Sequence, residues 1–96
     1  MLRITLLGSC QVFWQERPIS LPRRQTRALL YHLAAALEPA PRGRLAFLFW
    51  PDTPDAAARR SLTRLLSSLR AALPDPDLLL VDEENIALDR TRSTSD

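Results

Sequence analysis

Residues 59–73 read RRSLTRLLSSLRAAL, and their spacing decides how the chain is read. Leu62, Leu65, Leu66, Leu69 and Leu73 recur at steps of three and four, which puts them on one face of an α-helix. At about 100° per residue, Arg60, Arg64, Ser67 and Ala71 fall near the opposite side, with Thr63 and Ser68 at its margins. Arg59 and Arg70 lie on one flank and Ser61 on the other. From Ala56 to Leu73 there are four arginines and no acid. A plain solvated helix usually mixes its charges, because opposite charges four residues apart favour it. This segment combines an apolar face for a core with a short, cationic face suited to a negatively charged partner.

Working outward, Thr53 has the character of an N-cap, Pro54 of a first helical residue and Asp55 of an acid beside the positive helix end. Arg42 to Trp50 is apolar-rich and predicts a two-turn helix stopped by Pro51. Thr26, Leu29, Leu30, Leu33 and Leu37 mark one face of a helix over about 24–37, ended by Pro39 and Pro41. Before it come three short β-prone stretches, 2–7, 11–15 and 19–21, separated by Gly8-Ser9 and Glu16-Arg17-Pro18 turns. After the quoted helix, LLLV (78–81), a polar DEEN turn (82–85) and IALD (86–89) predict a hairpin. The expected fold class is α+β: a winged helix, a helix-turn-helix variant, with an N-terminal antiparallel β-meander, three helices and a C-terminal hairpin wing. That domain spans 1–89, and RTRSTSD (90–96) reads as a polar, frayed tail or the start of a linker.

The 96 residues suffice for one small core, and 46% hydrophobic with 25% charged is ordinary globular composition. No apolar run has the length of a membrane span, and the N-terminus lacks a signal-peptide core. Cys10 is the single cysteine, so no internal disulfide forms; this fits a reducing setting. Charge is uneven: residues 1–70 carry 11 arginines against four acids, a balance of +7, while 71–96 carry two against seven, a balance of −5. His32 has no Cys, His or acid at ligand spacing, so no metal site is expected. With glycines only at 8 and 43 there is no phosphate loop, and no nucleophile elbow occurs. Neither an enzyme nor a cofactor is expected.

Five segments together resemble a known family. LRITLLGSCQV, RRQTRALLYHLA, RGRLAFLFWPD, ARRSLTRLLSSLRAALPD and LLLVDEENIALD resemble the OmpR/PhoB-type winged-helix domain at the N-terminus of the SARP/BTAD class of bacterial transcriptional activators. The resemblance covers about residues 2–89, and the series is more specific than any one motif. It implies a cytoplasmic transcription regulator that binds double-stranded DNA. The third helix, about 54–73, would lie in the major groove and the wing tip near the minor groove. Such domains often bind head to tail on direct repeats. A helical activation domain usually follows, so the chain reads as an N-terminal piece, with RNA polymerase as a further candidate partner.

Candidate base contacts are Arg60, Thr63, Arg64, Ser67 and Ser68, since small residues let a helix sit deep in a groove and Arg pairs with guanine edges. Candidate phosphate contacts are Arg42 and Arg44 at the start of the second helix, Arg59, Ser61 and Arg70 on the third, and Arg90 and Arg92 after the wing. Many relatives of the wider OmpR class carry Arg where this chain has Ser67 and Ser68, which implies weaker binding by a single copy. Arg23, Arg24 and Arg27 open the first helix and read either as a solvated face or as reaching phosphate or a neighbouring subunit. Asp82, Glu83 and Glu84 make the wing tip acidic, so the wing is expected to contribute little, with Asn85 its one obvious donor. Trp14, Trp50, Phe13, Phe47 and Phe49 are expected in the core, with Trp50 pinning the junction between the second and third helices. The rival reading is an interaction module whose arginine face docks an acidic partner, such as RNA polymerase or a C-terminal domain of the same protein.

Overall fold

A computed structural model describes residues 1–96. The N-terminal meander consists of β1 (Leu2–Thr5), β2 (Gln11–Trp14) and β3 (Arg17–Ile19), paired antiparallel with Leu2 opposite Trp14 and Val12 opposite Ile19. Alternation turns Leu2, Ile4 and Val12 inward, where they are buried. The turn between β2 and β3 is Gln15-Glu16, one residue earlier than expected, with both φ angles positive at 53° and 65°. Arg17 and Pro18 belong to β3 instead. Pro18 is tolerated there because β3 is the sheet edge, where a missing N–H costs no ladder bond.

Helix α1 (Arg24–Ala35) buries Thr26, Leu29, Leu30, Leu33 and Ala34. It stops two residues short of expectation, and Leu37 is fully exposed. Ala36 is extended (φ −73°, ψ 135°), and the chain turns so that Ala40–Pro41 can form the short strand β4. Helix α2 (Arg42–Phe49) follows directly and buries Leu45 and Ala46. Phe47 is 70% exposed, against the expectation that it joins the core: on so short a helix, facing Leu45 and Ala46 inward turns Phe47 and Leu48 out. Trp50 packs against the core and beside Phe49, with ring centroids 5.8 Å apart, and its carbonyl accepts from the Thr53 N–H. It therefore does pin the junction.

Helix α3 (Asp55–Ala72) is the quoted segment, with Ala58, Leu62, Leu65, Leu66 and Leu69 buried. Its N-cap is Pro54, not Thr53, and no side chain caps it: the extended ψ of 146° at Pro54 puts the helix start one residue later. A short 3-10 turn (Pro76–Leu78) leads to β5 (Leu79–Val81) and β6 (Asn85–Leu88), the hairpin expected as the wing. β6 also pairs with β4, so the wing is anchored to the start of α2.

The C-terminal residues correct the expectation of a frayed tail. Ser93–Ser95 form β7, parallel to β1, and complete a four-stranded sheet of order β3-β2-β1-β7. Ser93 is buried and its hydroxyl donates to the Asp89 carbonyl, while the Ser95 hydroxyl donates to the carbonyl of Ala34. Backbone pairing and hydroxyl bonds hold this strand, which is why a search for apolar alternation misses it. Just before it, one guanidinium nitrogen of Arg90 donates to the carbonyls of Leu33, Ala34 and Ala36 at 2.8, 3.1 and 2.6 Å. This satisfies carbonyls that the end of α1 leaves free and places a cation at its negative end.

Leu62→Ala should cost about 2–5 kcal/mol, read as a lower midpoint in urea unfolding, because a fully buried stripe residue leaves a cavity. Four carboxyls sit below their ordinary value of 3.8: Asp75 through the Arg92 side chain, Asp82 through the Asn85 N–H, Asp89 through the Thr91 hydroxyl and Asp96 through the Leu6 N–H. Their stabilisation is fully present above pH 3.8 and is lost as pH falls below it through the depressed values. Thermal scans should therefore show a melting temperature that drops below about pH 4, and Asp75→Asn should make that drop shallower.

Candidate nucleic-acid interface

Burying the leucine stripe fixes which residues of α3 face outward. Arg59, Arg60, Thr63, Arg64, Ser67, Arg70 and Ala71 are exposed, and Ser61 and Ser68 are half-buried at the flanks. The helix has 18 residues, roughly 27 Å of length. Its outer face has small side chains toward the C-terminus and arginines toward the N-terminus, so it is a narrow cationic ridge.

The arginines of this region differ in what they already hold. Arg60 and Arg64 on α3, and Arg44 on α2, are exposed and take part in none of the ion pairs of the chain. Arg59 pairs with Asp55 one turn earlier at 2.9 Å, an exposed contact that water screens heavily. Its guanidinium also lies across Gly43, where a Cβ would come within 2.6 Å of it. Arg42 ties three elements together: it donates to the Thr63 hydroxyl at 3.1 Å and to the carbonyl of Asp82 at 3.3 Å. Thr63 in turn donates to the Arg59 carbonyl at 3.0 Å. Arg70 donates to the Leu79 carbonyl at 3.0 Å, fixing the far half of α3 to the wing.

Three residues that the sequence groups with this face have other engagements. Ser68 faces α1 and accepts from Arg23 at 3.0 Å. Arg90 grips the C-terminal end of α1, whereas Arg23 and Ser68 mark its N-terminal end, roughly 18 Å away along a helix of 12 residues. Arg92 forms an ion pair with Asp75 at 2.6 Å behind the 3-10 turn. Thus α3 and the start of α2 bring Arg42, Arg44, Arg59, Arg60, Ser61, Thr63, Arg64, Ser67 and Arg70 to one region, and Arg90 and Arg92 lie outside it. A contributor given no firm role from sequence is the Arg23–Arg24 pair beside α3, whose signal was its position at the opening of α1.

The wing turn is built by Asp82, whose carboxylate accepts from the Glu84 and Asn85 N–H groups at 2.7 and 2.6 Å. Those two bonds hold its carboxyl below the usual range, so the tip keeps its negative charge. Asn85 is half-buried and paired with Pro41 through β4.

Three helices, a paired wing and an outward-facing third helix define a winged-helix domain. A solved structure of Mycobacterium tuberculosis EmbR in complex with a low-affinity phosphopeptide has this fold, with a TM-score of 0.70 and 25% sequence identity. EmbR is a SARP-family regulator, which meets the resemblance drawn from the five sequence segments. The match covers 96% of this chain and 26% of the EmbR chain, so the chain spans about a quarter of that protein's length. No protein-family model and no curated protein matches the chain. No helix is long and apolar enough to cross a membrane.

Arg42→Ala should free the wing turn from α3. Amide hydrogen exchange at Asp82–Asn85 is then expected to quicken while exchange in the middle of α3 stays unchanged.

Proposed function

We propose that the chain is the double-stranded DNA-binding domain of a cytoplasmic bacterial transcriptional regulator, with α3 reading bases in the major groove. The observation that carries this is the outer face of α3, where Arg60 and Arg64 stand exposed without an ion-pair partner among small polar residues. The major groove, about 12 Å wide, admits one such helix. Arg60 and Arg64 contact base edges, with Thr63 and Ser67 beside them and Ser68 at the rim. Arg44, Arg59, Ser61 and Arg70 contact phosphates and set the register, and Arg42 orients Thr63 while reaching the backbone. Arg90 and Arg92 serve the fold instead. Two copies bind head to tail on a direct repeat, which compensates for the missing charge at positions 67 and 68.

A second reading has one specific observation in its favour. Phe47 and Leu48 are 70% and 54% exposed on α2, beside the basic ridge. An apolar pair in that position suits a protein partner, such as RNA polymerase or a C-terminal domain, and is compatible with DNA on α3.

Fluorescence anisotropy with a mixed duplex, over a salt series, tests the first reading. Binding should weaken linearly in a log–log plot against salt, and Arg60→Ala/Arg64→Ala should reduce it. Arg64→Ala alone should cost about 1–3 kcal/mol on the preferred site and relax selection at one position of it. Unchanged affinity and selectivity would remove Arg64 from the reading face.

A further inference from the structure

The first turn of α1 is electrostatically incomplete. Its N-cap is Arg23, no side chain caps it, and its first turn holds no acid. The earliest helical donor is the Arg27 N–H, bonded to the Arg23 carbonyl at 3.1 Å. The N–H groups of Arg24, Gln25 and Thr26 therefore have no acceptor in the chain. Two arginines, Arg23 and Arg24, crowd this positive helix end, the reverse of the usual preference for acids there. The other helices differ: α3 has Asp55 in its first turn, and the Arg42 N–H opening α2 is bonded to the Glu84 carbonyl.

A second feature lies at the same place. Thr26 is 2% exposed and its Oγ1 has no hydrogen-bond partner, the one such buried side-chain atom in the chain. Buried hydroxyls are nearly always bonded, so an orphan one asks for an acceptor or donor from outside. Thr26 lines an open groove of about 520 Å³ between the start of α1 and α3, together with Arg23, Arg24, Ser61, Arg64 and Ser68. No acid lines it.

We propose that this groove seats one backbone phosphate of a DNA strand bordering the major groove that α3 occupies. The inference rests on the DNA-binding reading above. The phosphate oxygens accept from the free N–H groups at the start of α1 and from the Thr26 hydroxyl, and the Arg23 and Arg24 guanidinia neutralise the charge. DNA is favoured over a phosphorylated peptide because Arg64 belongs at once to the groove and to the outward face of α3. Clamping a phosphate there fixes the rotation of α1, and through the Arg23–Ser68 bond the roll of α3 about its own axis.

The test uses the whole chain, a mixed 20-base-pair duplex and, separately, a phosphothreonine peptide. The amide signals of Arg24, Gln25 and Thr26 should shift on adding duplex in ¹H–¹⁵N spectra. Thr26→Val should melt higher than the parent, since it removes an unbonded hydroxyl, yet bind duplex about three- to tenfold more weakly. Arg24→Gln should lower the log–log salt slope by about 1, with circular dichroism unchanged. Duplex binding and salt slope equal to the parent's in both variants, while Arg64→Ala still weakens binding, would overturn the phosphate seat and leave the reading helix standing. Absence of duplex binding, or shifts at 24–26 produced only by the phosphopeptide, would overturn the seat and the DNA reading together.

Discussion

The burial of the leucine stripe of α3 against α1 and α2 is the constraint on which the rest depends. Leu62 and Leu69 have no exposed surface, and Leu65 and Leu66 have little. Side-chain directions on a helix are locked together at about 100° per residue, so fixing one face fixes the other. The core thus sets where Arg60 and Arg64 point without any contact to them. Trp50, seated against the same core, fixes the angle at which α3 leaves α2.

Around that core the charged residues divide by task. Arg90 and Arg92 are held by backbone carbonyls and by Asp75, and they close the fold. Arg42 and Arg70 sit between the two tasks: Arg42 spends one terminal nitrogen on the wing and the other on the Thr63 hydroxyl of α3, and Arg70 spends one on the wing. Arg60, Arg64 and Arg44 have no acidic partner. Among the acids of the C-terminal third, the carboxylates of Asp75, Asp82 and Asp89 are committed to turns and side chains.

Much of this was legible from the residues. The three-four spacing of Leu62 to Leu73 gives α3 and both of its faces, because helix periodicity is a local property. The LLLV–DEEN–IALD pattern gives the wing for the same reason. What escaped depends on distant partners. Strand β7 has no apolar alternation and exists because the β1 edge accepts it. Strand β4 is two residues long and exists because β6 lies beside it. Arg90 and Arg92 look like free cations in a linear sequence, and only folding shows the α1 carbonyls and Asp75 that hold them. Phe47 looks like a core residue by type, but on a short helix that turns Leu45 and Ala46 inward it has no room inside.

The central claim, that the outer face of α3 works in the major groove of DNA, is tested most directly by groove competition. Duplex already carrying methyl green, which occupies the major groove, would be compared with duplex carrying distamycin, which occupies the minor groove. The account predicts that methyl green suppresses binding and that distamycin leaves most of it. Loss of binding with distamycin and none with methyl green would contradict it.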